Sequence, residues 1–543
     1  MKPKTNAMLM MVLLPLGLLL VLWGLRPLPL QAATITVCVS GCDHDTIKDA
    51  VDEAVPGDFI SVQAGSYIAN VVITESLTIQ GAGAADTFIN GDSASGESVF
   101  VISGTVAVTI TNLTIQNGSA STSLFLGGLG GGIYVNENAS LLLDTVTVKD
   151  NSAEAAGGGI ANNGTLLVQN SAITGNTGPE GGGIYSTGPV TLTSVLISQN
   201  EADDIGGGIS TLGSLVTLVI SGSTIVENTA LADGGGIAVI DAPDVQIVQT
   251  AVQTNTVSDT GRGGGLYNSD SNVIIDGSTF SGNEAGAGAA IFNEKQNDLD
   301  NDTHLLVTGS TIRDNAAIGS LSADGGGGIY NINVMTLTQS LVAGNRTTQN
   351  DVIGAGVFNA PEGRFAIENS TIAGNQATRG SGIFNTGQMT LTSVTLYGNV
   401  GIDPGVSVYM TPTLAIGLGE TITPTLVAIN TAVADAVGAS NCSGATAWTS
   451  LGYNVASDTS CGLTGPEDRQ GIAVRLQPLA DNGGPTQTSA PALNSPLIDS
   501  GSPDSADCPA VDQRGVARPV GDRCDVGAYE TTVYQLYLPA ILR

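Results

Sequence analysis

Residues 157–176 read GGGIANNGTLLVQNSAITGN: a glycine cluster, an aliphatic residue, a short alternating strand and a turn that ends in Asn. Nearly the same phrase occurs ten times between Gly130 and Asn399. The aliphatic residues that follow the glycine clusters are Ile133, Ile160, Ile184, Ile209, Ile237, Leu266, Ile291, Ile329, Val357 and Ile383. Because they recur every 24 to 29 residues, with one longer interval, one supersecondary unit is repeated.

Apolar residues alternate within each unit, as at Val273 and Ile275, and Thr, Val and Ile predominate. This pattern predicts strands rather than helices. A strand-only unit of this size cannot bury its own apolar face, so successive units must stack with equivalent strands parallel. The sequence therefore predicts an all-β fold, a single-stranded right-handed parallel β-helix.

Stacking also predicts columns of equivalent residues about 4.8 Å apart along the solenoid. We expect the aliphatic residue of each unit to point inward and the next residue to point outward. One step further, Asn is expected to form a ladder at a bend in six units. These residues are Asn162, Asn268, Asn293, Asn331, Asn359 and Asn385.

The composition fits a long solenoid. Charged residues make up 12% of the chain and aromatic residues 4%, whereas glycine accounts for 73 of 543 residues. With 42% hydrophobic residues the chain is too apolar for disorder, despite a formal net charge of −32. This acidity argues against nucleic acid as a partner.

The N-terminal segment predicts export. Lys2 and Lys4 precede an uncharged apolar run over residues 7–25, followed by Ala32 and Ala33. This arrangement is typical of a secretory signal peptide, which we place at residues 1–32. In the alternative interpretation the run stays uncleaved as a membrane anchor, since it is long enough to span a bilayer.

Six cysteines lie near the two ends of the chain: Cys38, Cys42, Cys442, Cys461, Cys508 and Cys524. In an exported chain an even number of cysteines predicts disulfides. Several connectivities are open, and pairing each cysteine with its neighbour along the chain leaves the repeats free of crosslinks. No Cys-x-x-Cys pair indicates zinc binding or redox chemistry.

The open end of a β-helix exposes unpaired backbone and must be covered. Asp45 is predicted to cap a short helix that lies across the N-terminal opening and ends before Pro56. The predicted divisions are a signal peptide (1–32), the cap and first coils (33–125), the repeats (126–456), a C-terminal region (457–530) and a tail (531–543).

Three stretches resemble known families. Residues 46–81, with PGD and SLTIQG, are similar to the N-terminal cap of pectate-lyase-like β-helix proteins, and the glycine repeats resemble polymorphic outer membrane protein repeats. Residues 479–486 read LADNGGPT, and residues 512–530 contain DQRG, RP and CDVGAYE; both resemble the choice-of-anchor Q domain. The resemblance implies a bacterial, secreted or surface-held protein of no agreed activity.

The loops before the glycine clusters carry carboxylates in eight consecutive units, and we call this set the acidic stripe. It comprises Glu154, Glu180, Asp203, Asp204, Asp233, Asp259, Glu284, Asp324 and Asp351. Like charges about 5 Å apart repel each other, so the stripe predicts raised carboxyl pKa values or bound Ca²⁺. In the alternative interpretation the charges only keep a Lys-poor solenoid soluble.

The stripe also offers candidate catalytic residues. Carboxylates one coil apart would stand near the separation of a retaining glycoside hydrolase. Asp203 and Asp204 are the best hydrolase pair in the stripe. A uronate lyase needs Ca²⁺ and a base, and Arg262, beside Asp259, is the basic residue within the stripe. The repeats hold few cations, which disfavours polyuronate binding.

A second column, at the outward position of five successive units, is aromatic. It comprises Tyr267, Phe292, Tyr330, Phe358 and Phe384. Such a column predicts a carbohydrate-binding platform or, alternatively, a ladder that only stabilises the sheet.

The longest repeat interval contains Asp298, Asp300 and Asp302, alternate acids that predict a calcium loop or, alternatively, a solvated insertion. Together with Asp233, Asp259 and Glu284 of the stripe, they are the predicted Ca²⁺ ligands. Calcium is the one predicted cofactor.

The favoured interpretation is an exported, adhesin-like scaffold that binds polysaccharide or another cell-envelope component. The alternative is a polysaccharide-active enzyme, either a calcium-dependent uronate lyase or a glycoside hydrolase. An enzyme needs a localised cleft and an acid or base of shifted pKa, whereas a scaffold predicts uniform columns.

Overall fold

The computed structural model describes residues 32–92, 94–123, 127–295, 303–320, 325–349, 353–401, 406–411, 414–415, 421–444 and 448–532. Residues 1–31 of the predicted signal peptide or anchor lie outside these ranges, as do residues 533–543 of the tail. The described chain winds as a right-handed parallel β-helix and contains almost no α-helix, which confirms the predicted fold class. Each full coil visits four parallel sheets in turn, which we number 4, 1, 2 and 3.

Sheet 1 has 16 strands within the described residues: Thr34–Val37, Phe59–Val62, Thr78–Gln80, Ala107–Thr111, Ser140–Asp144, Thr165–Gln169, Val190–Thr193, Thr217–Ser221, Asp244–Val248, Val273–Asp276, His304–Thr308, Val334–Thr338, Arg364–Glu368, Gln388–Thr392, Thr425–Ile429 and Thr449–Gly452. Sheet 2 has 16 in the same part of the chain: Gly65–Ile68, Thr87–Asn90, Thr114–Gln116, Thr147–Lys149, Ala172–Thr174, Leu196–Ser198, Thr224–Val226, Ala251–Gln253, Thr279–Ser281, Thr311–Arg313, Leu341–Ala343, Thr371–Ala373, Thr395–Tyr397, Ala432–Ala434, Val455–Ala456 and Arg469–Gln470.

Sheet 3 has 11 described strands: Ser119–Ala120, Ser152–Ala153, Thr177–Glu180, Glu201–Ile205, Thr229–Ala230, Thr256–Val257, Glu284–Ala285, Ala316–Ala317, Arg346–Thr347, Gln376–Ala377 and Val400–Gly401. Sheet 4 has 14 in the described ranges: Val71–Ile73, Phe100–Ile102, Ile133–Val135, Ile160–Asn162, Ile184–Ser186, Ile209–Leu212, Ile237–Ile240, Leu266–Ser269, Ile291–Glu294, Ile329–Asn331, Val357–Asn359, Ile383–Asn385, Val406–Met410 and Ser440–Gly444. Leu414–Ala415 and Thr421–Ile422 pair antiparallel, and Ser505–Asp507 is a 3₁₀ helix.

The core is a continuous apolar ladder. Ile133, Ile160 and Ile184 pair in register in successive coils and are fully buried, as are their equivalents in the later repeats. The inward direction predicted for these aliphatic residues is therefore correct. Burying each such side chain stabilises the fold by about 1.5–3 kcal/mol.

The predicted Asn ladder forms in the later coils. The Asn268 amide donates to Asn293 Oδ1 at 2.8 Å, and equivalent bonds run on through Asn331 and Asn359 to Asn385. The earlier Asn162 instead donates to the Ser186 hydroxyl at 2.9 Å, because its neighbouring coil carries Ser at this position.

A second and longer Asn ladder, not foreseen as a ladder, lies between sheets 2 and 3. It comprises Asn151, Asn176, Asn200, Asn228, Asn255, Asn283, Asn315, Asn345, Asn375 and Asn399. These residues are almost fully buried, and from Asn151 to Asn375 each side-chain amide donates to Oδ1 of the next Asn at 2.8–3.1 Å. The Asn that ends each sequence unit thus satisfies buried backbone at every turn.

The helix Ile47–Glu53 closes the N-terminal opening. Its buried face includes Ile47, which joins the main apolar core. The predicted cap, Asp45, is wrong: the helix starts one residue later, and the Thr46 hydroxyl accepts the hydrogen bond from the Asp49 N–H at 3.1 Å.

The outer edge of the first strand is paired by its own chain. The N–H of Cys38 donates to the carbonyl of His44, and the N–H of His44 donates to the carbonyl of Thr36, both at 3.1 Å. The Cys38–Cys42 disulfide closes this loop. The strand Thr34–Val37 is therefore paired on its outer edge at Val37, through the bridge to His44.

All three predicted neighbour pairings of the cysteines are present. The disulfides join Cys38 to Cys42, Cys442 to Cys461, and Cys508 to Cys524. Such bonds are typical of proteins in an oxidising compartment. In the part of the chain that is described, no helix has the length and apolarity to cross a membrane.

After its last coil the chain folds back along the outer face of sheet 2, and we call residues 471–530 the C-terminal strap. Two antiparallel bridges, Leu476 with Pro491 and Ala480 with Thr488, form a hairpin whose tip holds the LADNGGPT motif. The strap then runs over the coils, where the Thr371 hydroxyl donates to Gln513 Oε1 at 2.6 Å.

Buried charges hold the strap in shape, and the set comprises Asp512, Arg514, Arg518, Asp525 and Glu530. Arg518 donates to the carbonyls of Asp525 and Gly527 at 2.8 and 2.6 Å, and its Nη1 lies 3.5 Å from Glu530 Oε2. The Arg514 guanidinium donates to Asp512 Oδ2 at 2.7 and 2.9 Å. The motif residues that resemble the choice-of-anchor Q domain thus have a structural role in this chain.

Candidate functional site

The acidic stripe is a series of different local environments. Glu154 accepts three hydrogen bonds from Thr122 and Ser121, which hold the pKa of its carboxyl below the usual value. Asp203 and Asp204 are exposed on the strand Glu201–Ile205. Asp324 and Asp351 lie outside the described residues.

Among the stripe carboxyls that the structure describes, Glu180 is the one whose pKa is raised. It is half-buried on the strand Thr177–Glu180, which pairs with the strand that carries Asp204. Burial raises the pKa of Glu180 first, and the charge of Asp204 adds to it. The sequence predicted such a shift for the stripe but did not single out Glu180.

Arg262 is fixed by carboxylates from the neighbouring coils. Its Nη2 donates to Asp233 Oδ2 and its Nη1 to Glu294 Oε2, both at 2.7 Å. Burial opposes its charge, but the hydrogen bonds and charge of Asp233 raise the pKa of Arg262. Burial and hydrogen bonding to Glu294 likewise raise the pKa of Tyr267.

This geometry does not gather the predicted catalytic residues into one site. Ile205, Asp233 and Arg262 are successive partners in one column, so Arg262 lies about 10 Å along the axis from the strand of Asp203 and Asp204. A guanidinium held by two carboxylates is also unsuited to take a proton. In this structure Arg262 is the centre of an ion-pair network with Asp233 and Glu294.

The predicted calcium ligands are likewise not gathered into one site among the described residues. Asp233 is paired with Arg262, Glu284 lies 3.9 Å from Arg346, and Asp259 is exposed. Asp298, Asp300 and Asp302 lie outside the described residues. Across the described ranges, no three His, Cys, Asp or Glu side chains come together in a way that could hold a metal ion.

The aromatic column is continuous but covered. Neighbouring rings from Tyr267 to Tyr409 stack with centroids 4.4–6.1 Å apart, and Phe292 and Phe384 are each only 3% exposed. Arg262 covers the first end, 5.0 Å from the Tyr267 ring centroid. The ring faces therefore pack against one another along the column and are largely shielded from solvent.

We expect Asp204→Asn to stabilise the protein at neutral pH and to have little effect in acid. A raised carboxyl pKa means that the folded chain holds the Glu180 proton more tightly than the unfolded chain. The penalty is thus absent below the unfolded pKa, near 4.5, and is complete above the raised folded pKa. Melting temperatures at pH 7 and about pH 3 test this, with exposed Asp203→Asn as the matched control. An equal gain from Asp203→Asn would contradict it.

A concave site that the sequence did not predict lies between sheet 2 and the hairpin of the C-terminal strap. Two adjoining pockets of about 360 and 500 Å³ share Arg313, Leu341 and Gln487, and we call them together the strap cleft. The sheet contributes Gln253, Thr279, Thr311, Arg313, Asp314, Leu341, Ala343, Gly344, Ala373, Gly374, Tyr397 and Gly398; the hairpin contributes Pro478, Leu479, Asp481, Gly484, Pro485, Thr486 and Gln487.

Gln513 fixes the hairpin above the sheet. Its Oε1 accepts from Thr371 of sheet 2, and its amide donates to the Thr486 hydroxyl at 2.9 Å and the Gln487 carbonyl at 3.1 Å. At the tip, Gly484 has φ +85°, and a Cβ there would stand 2.6 Å from Arg514 Cα. Only glycine allows this close approach. The cleft walls are therefore held by buried hydrogen bonds and close packing.

Sequence comparison supports the fold over the first part of the chain. The family described as right handed beta helix region matches residues 37–252 and 131–303. No match is found among curated proteins.

Several solved structures match part of this chain at low sequence identity. A pectin methylesterase in complex with a hexasaccharide is 14% identical with a TM-score of 0.29, over 44% of this chain and 89% of that one. The catalytic domain of a GH87 α-1,3-glucanase in complex with nigerose is 14% identical with a TM-score of 0.36, over 78% and 70%. An alginate lyase from Paenibacillus sp. str. FPU-7 is 13% identical with a TM-score of 0.25, over 62% and 93%. These similarities assign no activity to this chain.

Proposed function

We propose that the chain is an exported, adhesin-like scaffold that holds a polysaccharide or another cell-envelope component on a rigid β-helix. The observation that carries this proposal is the buried Asn ladder, which runs from Asn151 to Asn399 without a break. Within this span the same hydrogen bonds join every coil to the next, so the array suits a stiff support. The disulfides support export, for which residues 1–32 supply the predicted signal.

A neutral polysaccharide is the partner class that the surface favours. The formal net charge of −32 repels polyanions such as uronate polymers or nucleic acids. Outward positions of the sheets carry many hydroxyl and amide groups, among them Thr191, Gln246 and Thr336 on sheet 1. Such groups both donate and accept hydrogen bonds, as sugar hydroxyls require.

The proposal predicts retention without turnover. Purified exported chain should bind at least one neutral polysaccharide in a panel of neutral and acidic ones, with calcium or with chelator. Reducing ends and unsaturated uronates should stay at the level of a no-protein control. Release of either product would overturn the scaffold proposal.

Glu180 favours a second candidate function, a glycoside hydrolase. A carboxyl of raised pKa beside the exposed Asp204 has the properties of a general acid next to a carboxylate. This function requires that Glu180→Gln and Asp204→Asn abolish product release while Asp203→Asn retains it. Product release unaffected by these substitutions would exclude Glu180 and Asp204 as its source.

A further inference from the structure

We infer that the strap cleft is the polysaccharide-binding site and takes a neutral, extended sugar chain that lies parallel to the solenoid axis. This inference rests on the proposed function, because it gives the polysaccharide a place on the scaffold. Four observations carry it: the length of the cleft, its lining, its charge and its paired backbone.

The cleft is long and follows the stacking direction. One column of sheet 2 runs through Gln253, Ser281, Arg313, Ala343, Ala373 and Tyr397, one residue per coil. All of these except Ser281 line the cleft. Five steps of one coil make a floor of about 24 Å. A groove of this length suits several consecutive units of a linear chain better than a compact small molecule.

The lining offers polar groups on both sides. Gln253 and Thr279 lie on the sheet, and Gln487 and Asp481 face them from the hairpin. Amides and hydroxyls can serve as donor and acceptor at once, which matches sugar hydroxyls. Tyr397, half-buried at one end, adds an aromatic ring with a polar tip.

The charge excludes an acidic chain. Arg313 is the cation in the lining, and its guanidinium lies 3.3 Å from the neighbouring carboxylate of Asp314. Asp481 adds a second carboxylate. A uronate polymer would therefore meet more negative than positive charge along the groove, whereas a neutral sugar chain would not.

The backbone around the cleft is already paired. Strands of sheet 2 such as Thr311–Arg313 and Leu341–Ala343 have parallel partners on both sides, so they offer no free edge to a peptide strand. Binding by strand addition thus has no template on this face. Side chains must make the contacts, which again suits a glycan.

Ala343→Trp tests the inference, because a Trp there must occupy the cleft. Ala343 lies in register with exposed Arg313 and so points to the same side. Ala366→Trp, at an outward position of sheet 1 away from the cleft, is the matched control. The double variant Arg313→Ala with Gln487→Ala removes two exposed lining groups without added bulk and guards against misfolding of the Trp variant.

Isothermal titration of the full chain should use linear glucan, xylan and mannan oligosaccharides of increasing length. We expect one neutral series to gain affinity with length and then level off, Ala343→Trp and the double variant to lose affinity about tenfold or more, and Ala366→Trp to match the wild type. Neutral binding unchanged in the cleft variants would overturn the cleft but leave the scaffold function standing. Failure of the wild type to bind any of these glycans would overturn both the cleft and the polysaccharide partner of the proposed function, and preference for oligouronates would overturn the neutral class.

Discussion

Replacing Arg518 by Met is expected to destabilise the C-terminal strap by about 3–5 kcal/mol, because it leaves a buried carboxylate without its cation. Glu530 is 1% exposed, and the carbonyls of Asp525 and Gly527 would lose their donors in the same step. The hairpin and the strap cleft depend on this region, so we expect the strap to detach while the coils stay folded.

Limited proteolysis followed by mass spectrometry measures this effect. New cleavage sites should fall within residues 471–530 and spare the coils before residue 250. Arg475→Met is the matched control, since Arg475 is exposed and donates one hydrogen bond, to the carbonyl of Asn494 at 3.3 Å. Equal protease resistance of the two variants would contradict the structural role of Arg518.

The destabilisation caused by Arg518→Met should depend on pH. Burial raises the pKa of Glu530, so this carboxyl can take up a proton when its cation is absent. Protonation removes the unpaired charge, and the difference between Arg518→Met and the wild type should shrink as the pH falls. A loss of stability that grows in acid would contradict this account.

Asn283→Ala is expected to destabilise the folded repeats by about 3 kcal/mol or more, because it breaks the long Asn ladder at its middle. Asn283 Oδ1 accepts from the backbone N–H and the amide of Asn255, and its own amide donates to the Val252 carbonyl and Asn315 Oδ1. Alanine leaves buried groups of both neighbours without partners, at about 1–3 kcal/mol each.

Hydrogen exchange is the measurement that resolves this effect along the solenoid. Each coil contacts mainly its neighbours, so a single global unfolding energy is not a safe readout. Loss of protection should centre on residues 252–315 and fade in both directions. Exposed Asn494→Ala is the control and should leave protection unchanged. A uniform loss over all coils would show that the ladder acts as one cooperative unit instead.

The repeat pattern was sufficient to predict the fold, because the signal lies within each short unit and recurs in ten units. Apolar residues such as Val273 and Ile275 alternate along the strands, and a unit of this size cannot bury its own apolar face, so parallel stacking of successive units follows. The second ladder was missed although Asn176 and Asn200 stand at the same place in each unit. Treating every recurrent position as a column would have found it.

The candidate site was harder to predict because its contacts join distant parts of the chain. Arg262 was assigned by its neighbour Asp259, whereas its real partners are Asp233, one coil before, and Glu294, one coil after. The strap cleft depends on contacts such as Gln339 with Asp512, which are 173 residues apart. A periodic pattern carries no information about where a non-repeating segment will pack.

The C-terminal strap also constrains the number of coils in the part of the solenoid that it covers. It is bonded to Gln339, Asn369, Thr395 and Asn430, which belong to four different coils. Adding one coil within this span would shift these residues relative to one another by about 4.8 Å and break the hydrogen bonds between the strap and the coils. Among the described residues before 250, no backbone hydrogen bond joins a coil to the strap, so a duplicated unit there would only lengthen the solenoid. Growth and loss of coils during evolution should therefore be confined to the N-terminal half, while the coils under the strap stay constant in number.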